Sequence, residues 1–208
     1  MILDTDIETR PWEEQHGIDA EHYREQIGYL FRRSDFYRDK LPAAGFSAGT
    51  VGSLQDIHHL PFTEKDVLRR SQAEHPPFGN HLACRPPDLA RVYSTSGTTG
   101  PPCYIGFTRN DLDMVATNVA RGYTAGDFQG GQGIVVSVKA GPFVAGAAYY
   151  GFDKIGCTTI PVSTGNSERL VRARCRPWAQ QGSVVPRLMA FICATGVWIG
   201  ASIPPAWA

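Results

Sequence analysis

Ser94-Thr95-Ser96-Gly97-Thr98-Thr99-Gly100 places five hydroxyl side chains and two glycines in seven consecutive positions, a composition suited to holding phosphate. Glycine lets the main chain turn and approach a ligand closely. Successive N–H groups in such a turn form a concave anion site, and hydroxyls add donors. The run is not a Walker A loop, which ends in glycine, lysine and serine or threonine. Pro101 and Pro102 follow Gly100 here, so the run supplies no lysine of its own. A polar turn joining two elements is the plain alternative, and composition alone leaves both open.

No other cluster competes with it. His58-His59, His75 and His81 lack the spacing of metal ligands or of a catalytic base, and are read as surface or linker residues. The five cysteines, Cys84, Cys103, Cys157, Cys175 and Cys193, form no C-x-x-C pair. An odd count without close pairs suits a reducing cytosol, so a cytoplasmic location is expected. Twenty basic and twenty acidic side chains balance, which favours neither nucleic acid nor an anionic membrane as partner. The opening Met1-Ile2-Leu3-Asp4-Thr5-Asp6 is acidic and does not read as a secretory signal.

Several elements must position the run. Tyr23, Ile27, Leu30 and Phe31 share one face of a helix expected over 20–33. Short helical turns are expected at 53–57 and 63–70, the second opening with a capping-box pattern from Thr63 to Asp66. Pro76-Pro77, Phe78-Gly79 and Pro86-Pro87 make 75–88 an exposed connection. From Arg91 onward strands and helices alternate. Strands are expected at 104–107, 134–138 and 157–162. One helix is expected from 108, with Leu112, Val115, Val119 and Tyr123 on one face, and another around 144–155. That alternation predicts an α/β fold: a partial parallel sheet with covering helices, preceded by a mainly helical N-terminal region. Ligands of such sheets sit beyond the carboxyl ends of the strands.

Thr95-Ser96-Gly97-Thr98-Thr99-Gly100 followed by proline resembles the phosphate loop of the AMP-forming adenylating enzymes, the acyl-CoA synthetase and luciferase superfamily. Further blocks are similar to its phenylacetate–CoA ligase branch: Ser34 to Arg38, Leu60 to Leu68, Gly106 to Leu112, Ile160 to Ser163 and Gly165 to Arg169. The likeness runs in order from about Glu21 to Val171. It implies that Thr95, Ser96, Gly97, Thr98, Thr99 and Gly100 hold the β- and γ-phosphates of ATP. It implies Mg²⁺ and CoA as further cofactors, and an aryl or related carboxylic acid as substrate. In that chemistry the acid's carboxylate attacks the α-phosphate, pyrophosphate leaves, and the CoA thiol then displaces AMP. Phe143 and Gly146 fall in the region that helps form the family's acid pocket, although Ala140-Gly141 stands where tyrosine-glycine is usual. The family's lysine after the loop is Pro101 here.

By that resemblance residues 1–90 form an N-terminal helical region, 91–171 the phosphate-loop α/β part of the large adenylating domain, and 172–208 a divergent tail. The tail has no acidic residue and no lysine, and holds three of the four tryptophans, Trp178, Trp198 and Trp207. A change of reading frame near position 172 is the expected origin, with a short membrane anchor as the lesser alternative. The chain is therefore read as truncated: a shortened, impaired acid–CoA ligase or a non-catalytic nucleotide-binding remnant, with self-association expected from an unpaired sheet edge.

Overall fold

A computed structural model describes residues 1–95, 100–136, 146, 148–161, 188–191 and 201–202. The chain divides into two compact units, one of residues 9–109 and one of residues 1–8 with 110–208.

The first unit is built on helix α2, Trp12–Arg33. Glu13 and Glu14 in its first turn and Arg32 and Arg33 in its last suit the helix dipole. Tyr23, Ile27 and Phe31 are buried with Leu41 and Phe46, and Leu30 packs against them, as the apolar stripe predicts. The helix starts earlier than expected because residues 12–19 carry no such stripe. Trp12 is exposed. Helix α3, Asp35–Lys40, and a 3₁₀ turn, Leu41–Ala44, complete this cluster. Leu54–His59 forms a second 3₁₀ turn. Its N-cap is Ser53, and Asp56 reaches back to it, Oδ2 accepting from Ser53 N (2.7 Å) and Ser53 Oγ (2.8 Å). These bonds hold the Asp56 carboxyl below its ordinary pKa.

Helix α4 is Lys65–Glu74 and has no side-chain cap, so the capping box expected at Thr63 does not form. The Thr63 hydroxyl instead accepts from Lys40 Nζ at 2.6 Å. The connection after α4 is less exposed than its prolines suggest, with residues 78–84 half-buried. Asn80 is its anchor. The Ser71 hydroxyl donates to Asn80 Oδ1 (2.6 Å), and Asn80 O accepts from Phe36 N (3.1 Å). Strands β1, Leu89–Ser94, and β2, Tyr104–Thr108, then pair antiparallel. The strand expected at 104–107 thus stands in a hairpin and outside the parallel sheet. Nine residues join the two strands, and a parallel crossover takes a dozen or more.

The second unit holds the parallel sheet. Helix α1, Thr5–Glu8, is tied to helix α5, Arg109–Ala125, by the Arg121–Glu8 ion pair at 3.1 Å. Strand β3, Gly133–Val136, pairs parallel with β4, Thr158–Pro161, and with β5, Leu188–Phe191. Strand β6, Ala201–Ser202, runs antiparallel beside β5. Helix α6, Ala148–Ile155, connects β3 to β4. Its Phe152 is fully buried with Ile134, Val136, Tyr123, Phe128 and Cys157. A Cβ at Gly151 would lie 2.2 Å from Val119 Cγ1, so glycine lets α6 pass closely over α5. No helix among the described residues is long and apolar enough to cross a membrane.

Candidate phosphate site

The hydroxyl-rich run lies where β1 turns into β2. Ser94 pairs with Tyr104 at the end of the ladder, and one further pair closes the mouth. Thr95 N donates to Cys103 O at 2.9 Å, and Cys103 N donates to Thr95 Oγ1 at 3.0 Å. The Thr95 side chain thus replaces the second main-chain bond of a regular pair, and its hydroxyl hydrogen can still be given to an acceptor. Buried Tyr93 meets Phe107 edge-on, ring centroids 5.5 Å apart, which stiffens the hairpin below the turn.

At the other end of the turn Gly100 adopts φ 147°, in the region that glycine tolerates and side chains do not. Gly100 is exposed and Thr95 half-buried, so both described ends of the turn are reachable. Ser96, Gly97, Thr98 and Thr99 lie outside the described residues, as does Phe143. Gly146 is buried and belongs to the other unit.

Two residues that the sequence reading left without a role sit against this turn. Arg69, on α4, donates from Nε to Pro101 O at 3.3 Å and from Nη1 to Asp66 Oδ1 at 2.8 Å. Gln72, one turn further along, is buried and grips β2 with both ends of its amide. Its Nε2 donates to Tyr104 O (2.7 Å), and its Oε1 accepts from Tyr104 N (2.9 Å). The side chain serves Tyr104 as a third strand would, and it registers α4 against the hairpin. A polar pair, Ser71-Gln72, facing inward at i+2 and i+3 from Arg69 was the available signal. Such a pair ordinarily reads as a solvated helix face.

His58 and His59 lie on the Leu54–His59 turn, their ring centroids 3.9 Å apart. His81 lies in the connection after α4, half-buried against Phe36, and burial pushes its imidazole below the ordinary pKa. Among the described residues no three histidine, cysteine, aspartate or glutamate side chains gather as a metal site.

Solved acid–CoA ligases share the fold of this chain. The chain matches 2-hydroxyisobutyryl-CoA ligase in complex with 2-HIB-AMP and CoA at a TM-score of 0.73 and 28% identity, covering 85% of this chain and 36% of that one. A second structure of that enzyme, in the postadenylation state with R3-HIB-AMP, matches at a TM-score of 0.72. The curated relatives are more particular. A phenylacetate-coenzyme A ligase of Thermus thermophilus is 35% identical over 172 residues, and one of Escherichia coli 32% over 164. These alignments take in 82% and 78% of this chain but 38% and 36% of the relatives. No protein-family model matches. The chain is a relative of the phenylacetate–CoA ligases that spans just over a third of their length.

Proposed function

We propose that this chain carries the ATP-phosphate-binding part of an AMP-forming acid–CoA ligase. The observation that supports it most is the closed, exposed-ended turn between Thr95 and Gly100. Its described donors are the Thr95 hydroxyl and the neighbouring Arg69 guanidinium, groups that suit phosphate oxygens. Mg²⁺ would arrive on the phosphates themselves, where it neutralises charge on the leaving pyrophosphate. The chain's own residues orient the triphosphate: Thr95 gives its hydroxyl proton to a phosphate oxygen, and Gly100 lets the main chain approach closely. CoA and an aryl or related acid complete the reaction, with Phe143 and Gly146 assigned to the acid pocket. The acid's class rests on the relatives' names.

Residues 1–208 match 38% of the length of the Thermus ligase, so nucleotide binding and complete turnover are two separate readings of them. Calorimetric titration with ATP, followed by ATP–pyrophosphate exchange with phenylacetate or 2-hydroxyisobutyrate, separates these readings. Binding with exchange establishes the ligase, and binding alone the nucleotide-holding fragment. Absence of any ATP binding overturns both.

A further inference from the structure

We propose that His81 is an acid-sensitive latch on the connection after α4. Neutral, it lets residues 79–81 lock α4 to the joint between α2 and α3; protonated, it opens that lock while the rest of the unit stays folded. No group in the latch belongs to the Thr95–Gly100 run, and the nucleotide reading can fail without touching it.

The lock is made of main chain and short polar side chains. Asn80 N donates to Ser71 Oγ at 3.1 Å, and the same hydroxyl donates to Asn80 Oδ1 at 2.6 Å. Toward the α2–α3 joint, Asn80 O accepts from Phe36 N at 3.1 Å. The Ser34 hydroxyl donates to His81 O at 3.1 Å, with Asn80 O 3.3 Å away. Ser34 and Ser71 are both buried. Residues 80 and 81 carry all of these bonds, so the bonds hold or break together.

His81 closes the lock from inside. Its Nδ1 is buried without a hydrogen-bond partner, and its ring meets Phe36 edge-on, centroids 6.3 Å apart. Gly79, at φ 74°, is wedged beside that nitrogen: a Cβ there would collide with Ser71 Oγ and lie 2.8 Å from Nδ1. In a neutral ring Nδ1 is one unused acceptor. In a protonated ring it becomes a buried donor on a cation, which costs far more. Among the described residues nothing packed against the ring offsets that charge. Helix α3 presents Phe36, the α2–α3 joint Ser34, and α4 Ser71, whose hydroxyl already gives its hydrogen to Asn80 and accepts one from it. Burial is the cause that lowers the ring's pKa, with no carboxylate or cation contributing. Water reaches Nδ1 only if residues 79–81 lift away, and lifting breaks the bonds to Ser71, Ser34 and Phe36.

Amide exchange on the whole 208-residue chain tests the latch, read as protection factors at about pH 7.5 and about pH 5.5. In the open connection the ring titrates near 6.5. Protection at the Asn80 and Phe36 amides should therefore fall about three- to tenfold at the lower pH. Ile27 and Ile134, in the two apolar cores, should change by less than about twofold. The loss should begin as pH falls through 6.5 and level off where the native His81 ring titrates by NMR. His81→Phe and His81→Gln carry no titrating group, and either should abolish the acid loss at Asn80 and Phe36. Equal loss at all four amides, or none at Asn80 and Phe36, overturns the latch. So does an acid loss that persists in a folded variant. If neither variant folds, the wild-type pattern decides alone, and a loss that does not level off where the ring titrates overturns it.

Discussion

The β1–β2 hairpin is held in place by polar atoms, while the β3–β4 pair is held by apolar ones. In the first region the joint between helix and strand is a glutamine amide bonded twice to Tyr104, and the adjoining connection is tied by Ser71 and Asn80. In the second, Phe152, Ile134 and Val136 are fully buried in one apolar cluster. Apolar packing supplies stability but accepts small shifts of register. Paired hydrogen bonds accept few, because each has a narrow range of distance and angle. The polar joint sits beside the contact of Arg69 with Pro101, and the apolar joint where bulk burial suffices.

The contrast is broken most strongly from the apolar side. Phe152→Ala should cost about 3–5 kcal/mol, the usual loss for a fully buried phenylalanine. Denaturant unfolding measures it. Phe152→Leu should recover more than half, since the pocket needs volume and no particular polar atom. A loss below about 1 kcal/mol in Phe152→Ala would mean that α6 is not packed on β3 as described.

The polar side is sharper in geometry and smaller in energy. Gln72→Leu keeps an apolar stem of similar length and leaves Tyr104 N–H and C=O without their partner. Tyr104 is exposed and both bonds are part-buried, so two lost hydrogen bonds of about 0.5–1.5 kcal/mol each give a total near 2 kcal/mol. The local signature matters more than the total. Amide exchange at Tyr104 should accelerate well beyond that at Ile134 if α4 is released from the hairpin while the other unit stays intact. Gln72→Glu should behave almost as badly, because a carboxylate cannot donate to Tyr104 O.

The two regions also differ in how plainly the sequence announced them. Tyr23, Ile27, Leu30 and Phe31 marked α2, and Ile134-Val135-Val136 marked β3, because one-sided or complete burial leaves a periodic or continuous apolar trace. The run from Ser94 to Gly100 stood out by composition, with five hydroxyls and two glycines in seven positions. Arg69 and Gln72 did not. Their partners, Pro101 and Tyr104, lie 32 residues away in each case, and a polar side chain satisfied by distant main chain leaves no local pattern. Thr63 misled for a related reason: its spacing to Asp66 fitted a cap, but Lys40 takes its hydroxyl. The pairing of β2 with β1 was hidden by reading 104–107 as one more strand of a βαβ series.

The smallest effect belongs to His81, beside the polar joint. Its Nδ1 is buried without a hydrogen-bond partner, and its ring meets Phe36 edge-on at 6.3 Å. Burial disfavours the imidazolium, so the folded chain holds this proton less tightly than the unfolded chain, whose value is near 6.5. Above that value neutral His81 contributes its full share of stability. As pH falls through 6.5 toward the depressed folded value, the unfolded state binds the proton first and that share is lost. The melting temperature should therefore decline over this window, and His81→Phe should flatten the decline by placing an uncharged ring against Phe36. Asp56 acts in the same direction but at lower pH, since its carboxyl is depressed below 3.8 by Ser53. The two contributions are thus separable on one titration. A His81→Phe chain whose melting temperature follows the wild-type curve between neutrality and mild acid would show that the histidine side chain is solvated, and that the connection after α4 is looser than its hydrogen bonds to Ser34 and Ser71 require.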